Sequence, residues 1–208
     1  MTTPSKQEII RNYDKYAHWY DFVERFPELL GLNRVRKKLF REASGNVLEV
    51  AAGTGNNLRH YPKDCKITLI DLSRGMLKRA LQKAGKHKLH VSIQEMDAER
   101  LGFSDNTFDT VVDSLSLCTL KEPVEALKEM SRVCKPSGRI LLLEHGRSSN
   151  ERVGRWQDKR ADKHAKRLGC IWNRNILKFV EEAGLEFISR KRYFFGIFHA
   201  IKVKPGQV

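Results

Sequence analysis

The residues best suited to chemistry in this sequence form a glycine-rich stretch, 51–55, early in the chain. The apolar run before it, 47–50, is typical of a strand that is buried on both faces. Gly53 and Gly55 allow the backbone to approach a ligand closely, and the short polar helix expected near Asn56 offers unpaired N–H groups. A strand, a glycine turn and a helix in this order predict the nucleotide-binding end of a doubly wound α/β sheet.

The spacing of the small residues separates two classes of nucleotide ligand. A dinucleotide-binding fingerprint, G-x-G-x-x-G, needs a small residue at its last position so that the helix packs closely on the strand. Counted from Gly53, that position is Leu58, so the fingerprint fits badly. The alternative pattern is an acid at the strand end followed by small residues at every second position. This pattern is present at Glu49, Ala51, Gly53 and Gly55.

The second pattern resembles motif I of the class I S-adenosylmethionine-dependent methyltransferases, which usually have Gly where this chain has Ala51. Other segments resemble the family in the same order over nearly the whole chain. A tyrosine-rich stretch, 13–21, resembles one that covers the bound cofactor, and the segments 101–109 and 134–139 resemble the approaches to the fourth and fifth strands. A strand, turn and helix whose glycines serve geometry alone is the alternative interpretation of the loop.

An acid after the second predicted strand is placed to bind a ribose. The apolar run 66–70 ends in Asp71, which lies 18 residues after Gly53. This is near the spacing at which an acid in a doubly wound sheet accepts hydrogen bonds from ribose hydroxyls. We therefore expect Asp71 to hold the adenosine. Ser73 is predicted to cap the helix that follows, and that helix carries Met76.

The resemblance implies further contacts with S-adenosylmethionine. An acid after the third strand would accept from the adenine amino group, with the backbone N–H of its neighbour on the ring. The backbone after the fourth strand would border the methionine end of the cofactor, because ligands bind at the carboxyl edge of such sheets. The predicted cofactor contacts are Tyr13, Glu49, Ala51, Gly53, Gly55, Asn57, Asp71, Leu72, Met76, Asp97, Ala98, Ser114 and Leu115.

Three residues are candidates for a catalytic role. His145 follows the fifth predicted strand and could act as a general base on an acceptor hydroxyl, thiol or ammonium, or it could only shape the pocket. Tyr16 and Tyr20 belong to the stretch that resembles the cofactor cover, although their helical spacing fits core packing equally well. The four cysteines form no CxxC pair and the histidines are scattered, so free thiols and no metal site are predicted.

The order of apolar runs predicts the fold class. Four probable parallel strands, each followed by a helix or a long loop, precede a fifth, which is typical of an α/β architecture. We expect a Rossmann-like, doubly wound, seven-stranded sheet, mostly parallel, with helices on both faces and a C-terminal antiparallel hairpin. Helices are expected over 5–20, 29–42 and 150–167, and from Ser73, Pro123 and Ile176 onward.

The chain is expected to form one methyltransferase domain, 1–208. Within it we distinguish an N-terminal helical cap (1–45), a cofactor-binding core (46–146) and a basic, substrate-side C-terminal part (147–208). The lack of an apolar stretch of roughly 20 residues argues against a membrane span. The first residues lack the apolar core of a secretory signal, although an upstream targeting segment could have been removed.

The formal net charge is +14, and it is uneven. Residues 147–208 carry fifteen Lys and Arg against six Asp and Glu, which supplies +9 of the total. Such a surface attracts phosphate, on lipid head groups or on nucleic acid. The helix 150–167 combines basic residues with Trp156 and would suit the surface of an anionic membrane, whereas a merely solvated basic face is the alternative.

Within the family, the chain is most similar to a group of quinone C-methyltransferases, phospholipid N-methyltransferases and thiol methyltransferases. The resemblance implies methyl transfer from S-adenosylmethionine to a small or lipid-like acceptor at a membrane surface, with S-adenosylhomocysteine as product. We expect a monomer that is cytoplasmic or peripheral to a membrane in a reducing compartment, or mitochondrial if a targeting segment was removed.

Two alternatives remain open. The first is a nucleic-acid methyltransferase. It is disfavoured because 114–117 replaces the Asn/Asp-Pro-Pro-Tyr-type motif that base N-methyltransferases often carry. The second is a cofactor-binding scaffold of a membrane complex that performs no catalysis.

Overall fold

The structure of the protein is a computed structural model that describes residues 5–206, leaving out the side chains of 20, 21, 23–27, 29, 30, 167 and 168. Its centre is a seven-stranded sheet with the order β3-β2-β1-β4-β5-β7-β6. The strands are β1 (Asn46–Val50), β2 (Lys66–Asp71), β3 (Val91–Glu95), β4 (Phe108–Ser114), β5 (Cys134–His145), β6 (Glu186–Tyr193) and β7 (Phe198–Lys204).

The pairing of the strands confirms the predicted fold class. Strands β1 to β5 pair in parallel, whereas β7 is antiparallel to both β5 and β6. The helices are α1 (Lys6–Pro27), α2 (Asn33–Phe40), α3 (Arg74–His87), α4 (Pro123–Val133), α5 (Glu151–Leu168) and α6 (Ile176–Glu182). None of these described helices is long and apolar enough to cross a lipid bilayer.

Alternate residues of the central strands serve two cores, because successive side chains of a strand point to opposite faces. Leu48 and Leu142 belong to the core under α4 and α6. Val47 and Leu141 belong to the core under α2 and α3. Burial on both faces explains why the strands read as continuous apolar runs in the sequence.

Several predicted boundaries were wrong for local reasons. The predicted helix 29–42 is interrupted, because Gly31 adopts φ 120° within a π-helical turn and α2 begins only at Asn33. The helix expected near Asn56 is a short 3₁₀ turn, Leu58–His60. The segment 134–139, expected to lead into the fifth strand, is the first part of β5, and the register shifts between the pairs Phe108–Cys134 and Thr110–Arg139.

Helix α5 packs through small and polar residues rather than through Val153 and Trp156, its large apolar residues. Its buried side consists of Gly154, Gln157, Ala161 and Ala165, at helical spacing. The buried Gln157 amide accepts from Ser148 N at 2.7 Å and donates to Gly146 O at 3.1 Å. These bonds fix the start of α5 against the end of β5.

The glycine after β5 lies where the chain passes very close to the segment that leads into α6. A Cβ added to Gly146 would lie 2.5 Å from the carbonyl oxygen of Arg174, whereas one added to Gly85 of α3 would meet nothing within 4 Å. We expect Gly146→Ala to lower the free energy of unfolding by about 1–3 kcal/mol through overpacking. Gly85→Ala should raise it by about 0.5–1 kcal/mol, because Ala is the better helix former.

Urea unfolding of the two variants beside the parent chain measures this difference. Equal effects of the two substitutions would contradict the close packing of these segments.

Candidate active site

A cavity of about 390 Å³ lies at the carboxyl edge of the parallel strands, beneath α1. Parallel strands end there in loops, and ligands of doubly wound sheets bind at this edge. Its described lining includes nine of the predicted cofactor contacts: Tyr13, Ala51, Gly53, Asp71, Leu72, Met76, Ala98, Ser114 and Leu115.

The glycine loop after β1 presents one open backbone position to the cavity. Ala51, Gly53 and Gly55 all adopt positive φ, at 46°, 55° and 74°. A Cβ added to Gly53 would meet nothing within 4 Å, so the space above it is available to a ligand. At Gly55 the same atom would lie 2.8 Å from the Leu58 side chain. Gly53 therefore leaves room for a ligand, and Gly55 permits the close packing of the loop.

Asp71 organises the loops after β1 and β2. Its two carboxylate oxygens accept from Gly53 N and Ser73 N, each at 2.8 Å. Burial raises the pKa of Asp71, and these backbone donors oppose that rise. A carboxylate offers about four acceptor sites, so acceptor capacity remains for a hydroxyl of a ligand. The geometry fits the predicted role of Asp71 at a ribose.

Three other predicted cofactor contacts, Glu49, Gly55 and Asn57, are not part of the described lining of the cavity. Glu49 is buried and accepts from Asn57 Nδ2 at 2.7 Å and from Tyr61 Oη at 2.8 Å. Burial raises its pKa to about 7, against these two donors. With Gly55, Glu49 and Asn57 hold the loop in shape.

A buried arginine that the sequence analysis did not select supports the same loop. Arg36 donates to Asn57 Oδ1, to Ser114 Oγ at 2.7 Å and to Glu28 Oε1 at 2.9 Å. Its exposed fraction is only 3%. The sequence does indicate that Arg36 is buried, because Arg36 lies four residues after Leu32 and so falls on the apolar stripe of its helix.

Helix α1 closes one side of the cavity through Ile9, Ile10 and Tyr13. Asp14 fixes it to the start of α3, accepting from Ser73 Oγ at 2.5 Å and from Gly75 N at 2.9 Å.

The first turn of α1 is tied down as well. Lys6 Nζ forms ion pairs with Asp97 at 2.5 Å and with Glu99 at 2.8 Å. Asp97, predicted to bind adenine, is therefore paired with α1 and is not part of the described lining.

The candidate catalytic residues do not converge on the cavity. Tyr16 is 48% exposed and does not belong to the described lining, and the Tyr20 side chain lies outside the described residues. His145 also stands behind the described lining, with its Nε2 atom 3.4 Å from Cys170 Sγ. Of the three tyrosines named from the sequence, the described lining includes only Tyr13.

The far wall of the cavity comes from segments that the sequence analysis left unassigned. Arg174 lines it and donates to the carbonyl oxygens of Leu117 and Leu120, at 2.5 and 2.7 Å. Burial lowers the pKa of Arg174. These bonds join the segment before α6 to the loop after β4, which makes one continuous wall.

A buried pair of carboxyl groups supports the loop after β4. Ser116 donates from its backbone N to Glu144 Oε1 at 3.0 Å and from its hydroxyl to Asp113 Oδ1. Burial raises the pKa of Asp113 to about 6, and burial together with the charge of Asp113 raises the pKa of Glu144 well above its usual range. The two carboxyl groups hold the backbone of 114–116 in place.

The structure also brings together three side chains that are far apart in the sequence. One ligand atom from each of Cys118, His145 and Cys170 lies within 4.8 Å of the other two. All four cysteines of the chain are free thiols. The contact with Cys170 and burial raise the pKa of the Cys118 thiol well above its usual value.

Comparison with known proteins agrees with this architecture. The family model described as a methyltransferase domain matches residues 48–142. A phosphatidylethanolamine N-methyltransferase of Cereibacter sphaeroides is 36% identical over 66% of this chain and 68% of its own length. The yeast mitochondrial methyltransferase OMS1 is 30% identical over 98% of this chain, which spans 46% of the yeast protein.

The fold extends to solved structures of low sequence identity. An S-adenosylmethionine-dependent methyltransferase from Thermotoga maritima has a TM-score of 0.71 at 21% identity, over 95% of this chain and 99% of that one. The sheet order and the glycine loop define a Rossmann-like methyltransferase fold. The chain belongs to the class I S-adenosylmethionine-dependent methyltransferases.

The residues of the cavity fit the cofactor of this family, S-adenosylmethionine. The open space above Gly53 lets a ligand lie against the backbone, and the spare acceptor sites of Asp71 suit a ribose diol. Ala98 follows β3 and the backbone of 114–116 follows β4, and both line the cavity. We assign the cofactor to this edge of the sheet.

Asp71→Asn should weaken the binding of S-adenosylmethionine about tenfold or more, because a hydrogen bond to a charged group contributes about 1.5–3 kcal/mol. Asp109→Asn is the matched control, since Asp109 accepts from Asn46 N at the opposite end of the strands. Titration calorimetry on both variants measures the change. An unchanged affinity in Asp71→Asn would remove this carboxylate from the ribose site.

Glu49→Gln should flatten the pH dependence of stability. The folded-state pKa of about 7 exceeds the usual 4.5, so folded Glu49 keeps a proton that the unfolded chain releases. The contribution of Glu49 to the free energy of unfolding is full below about pH 4.5. It is lost as the pH rises towards 7, a change of about 3 kcal/mol. Gln stays neutral throughout, so the variant should lose less stability than the parent between about pH 5 and 8.

Urea unfolding at the two pH values provides the measurement, with Glu129→Gln as control. The ion pair with Arg132 lowers the pKa of Glu129, so its titration lies below this window. Parallel pH profiles for the parent chain and Glu49→Gln would show that Glu49 is ionised in the fold.

Proposed function

We propose that this chain transfers the methyl group of S-adenosylmethionine to a lipid-like acceptor presented at an anionic membrane surface. The observation that carries the proposal is the course of α5. This helix has an exposed basic side, and the residue that caps its end, Gly169, lines the cavity. A surface suited to anionic head groups thus leads to the mouth of the cofactor site.

The lining of the cavity combines two kinds of surface. The ends of β1, β2 and β4 provide the polar residues that fit the cofactor. The remaining wall comes from α1 and from segments 119–122 and 169–174, and it includes Ile9, Ile10 and Ile171. Apolar side chains on this wall suit the hydrophobic part of an acceptor.

The chemistry requires alignment more than a dedicated catalytic group. S-adenosylmethionine supplies an electrophilic methyl carbon on its sulfonium. Asp71 and the loop 51–55 would hold the adenosine, and the fixed backbone of 114–116 would position the methionine end. Helix α1 would exclude water from the site. Orienting two reactants in this way can contribute about 7–11 kcal/mol to lowering a barrier.

The basic face, defined as Arg152, Arg155, Lys159, Arg160, Lys163 and Lys166, is exposed. Trp156 lies on the same helix with 47% of its surface exposed. The Arg160 guanidinium stands 4.9 Å from the centre of the Trp156 ring. Tryptophan beside basic residues favours the interface between head groups and acyl chains, because its ring is partly apolar.

Trp156 is held in position by an aromatic cluster. Its ring centre is 5.1 Å from that of Trp172, which stacks on His164 at 4.1 Å. Trp172 Nε1 donates to Gln157 O at 3.0 Å. The cluster joins the exposed ring to the segment 169–174, so contact with a membrane and the wall of the cavity belong to one unit.

One of the relatives supports this substrate class, and another supports a location. The Cereibacter protein is a phosphatidylethanolamine N-methyltransferase, and the yeast protein is mitochondrial. We extend the proposal to a peripheral position on a membrane in a reducing compartment, with the mitochondrion as the location that the yeast relative suggests.

Replacing Arg152, Arg155, Lys159 and Lys163 with Gln should weaken binding to anionic liposomes by at least tenfold, since each basic residue near such a surface contributes about 1 kcal/mol. The control replaces Lys63, Lys66, Lys86 and Lys88 with Gln, which removes the same charge from exposed positions elsewhere. Sedimentation with phosphatidylserine-containing liposomes measures both.

If both variants lose liposome binding equally, net charge alone would explain the loss. That result would contradict a membrane-binding face on α5. If the α5 variant still binds liposomes and loses only its binding to RNA, nucleic acid would replace the membrane as the proposed partner of this face.

A further inference from the structure

Two thiols and an imidazole meet behind the far wall of the cavity. Cys118 lies in the loop after β4, His145 ends β5, and Cys170 follows α5. Their candidate ligand atoms lie within 4.8 Å of one another, and His145 Nε2 is 3.4 Å from Cys170 Sγ. Cys118 and Cys170 are buried, whereas His145 is half-buried.

We propose that Cys118, His145 and Cys170 form a zinc-binding site that holds the substrate-side wall of the cavity together. This departs from the sequence analysis, which predicted free thiols, no metal and His145 as a base. In this proposal His145 is a metal ligand, and the site lies outside the cofactor pocket.

The donor set and its dimensions suit Zn²⁺. Two thiolates and one imidazole are soft and borderline ligands of the kind zinc prefers, with Zn–S about 2.3 Å and Zn–N about 2.0 Å. Tetrahedral angles at those lengths require ligand atoms about 3.5–3.8 Å apart. The observed separations, from 3.4 Å to at most 4.8 Å, need only small side-chain rotations.

The charge of the complex is compatible with burial. Zn²⁺ with two thiolates and a neutral imidazole is neutral overall, so the cost of burying charge is small. The three protein ligands leave one tetrahedral position for a water or another small donor.

The backbone around the ligands is already fixed, which limits the entropy that binding must overcome. Ile171 N donates to Cys118 O at 2.9 Å, so the two cysteine segments are hydrogen-bonded to each other. His164 donates from Nδ1 to Cys170 O at 2.9 Å. Such bonds around a site orient its ligands and raise metal affinity.

The three ligands belong to segments that build the cavity. The loop that carries Cys118 supplies Ser116 and Thr119 to the lining, and the residues on either side of Cys170, Gly169 and Ile171, line it as well. A zinc ion would therefore join the end of β5, the loop after β4 and the end of α5. Loss of the metal should loosen the segment 169–174.

The test begins with the metal content of the full chain, produced without a histidine tag or chelator and measured by mass spectrometry. We expect one zinc per chain. Replacement by Co²⁺ should give the visible bands of a tetrahedral ion and a thiolate charge-transfer band in the near ultraviolet. Cys118→Ser and Cys170→Ser should each abolish stoichiometric binding and the charge-transfer band seen in the parent.

Cys65→Ser is the matched control, because Cys65 is also a buried free thiol but lies at the opposite edge of the sheet. It should keep one metal per chain. Circular dichroism checks folding, and His145→Gln, at a half-buried position, provides a variant with a milder change. If the serine variants do not fold, removal of zinc from the parent by a chelator and its restoration by added ZnCl₂ still test the site.

Hydrogen exchange supplies a readout that does not depend on activity. Chelation should increase exchange in 169–174, and added zinc should reverse it. Metal contents indistinguishable between the parent chain and Cys118→Ser, or no restoration by zinc, would overturn the proposal. A denatured, unreduced chain that titrates as two thiols instead of four would also overturn it, in favour of a Cys118–Cys170 disulfide.

Discussion

Carboxyl groups that are buried or half-buried at the ends of the parallel strands hold the loops that form the candidate active site. Asp71 accepts the backbone N–H of both Gly53 and Ser73, Glu49 accepts from two side chains of the loop after β1, and Glu144 accepts Ser116 N. A loop backbone that is buried at a sheet edge must satisfy its donors, and these carboxyl groups do so. The cavity thereby has fixed walls before any ligand arrives, which reduces the ordering that binding requires.

The sheet and the cofactor half of the cavity could be predicted from the sequence because their signals are local. Apolar runs, glycine spacing and an acid at a strand end each lie within a few residues, and nine predicted contacts line the cavity. The substrate half of the cavity could not be predicted from the sequence, because it depends on which distant segments of the chain come together in the fold. Arg174, Cys118 and Cys170 come from loops that have no periodic pattern of their own, and His145 is the last residue of β5.

The tyrosines and Arg36 show how ambiguous helical spacing is. The spacing of the stretch 13–21 does not tell which tyrosine faces the cavity, because a helix of that composition can be rotated with little change in its apolar stripe. The hydrogen bonds of Asp14 and the ion pairs of Lys6 with the rest of the domain fix the rotation of the helix. Tyr13 therefore faces the cavity, whereas Tyr16 is exposed. Arg36 lies on an apolar stripe because its guanidinium finds three acceptors there.

We propose that the chain methylates a lipid-like acceptor at an anionic membrane. The most direct measurement is transfer of label from S-adenosylmethionine to phosphatidylethanolamine, an alkyl thiol or a quinone precursor in anionic liposomes, with bulk RNA in parallel. We expect transfer to one of these three acceptors, faster in anionic than in neutral liposomes, and no transfer to RNA. Transfer to RNA alone, or tight cofactor binding without transfer to any acceptor, would contradict it.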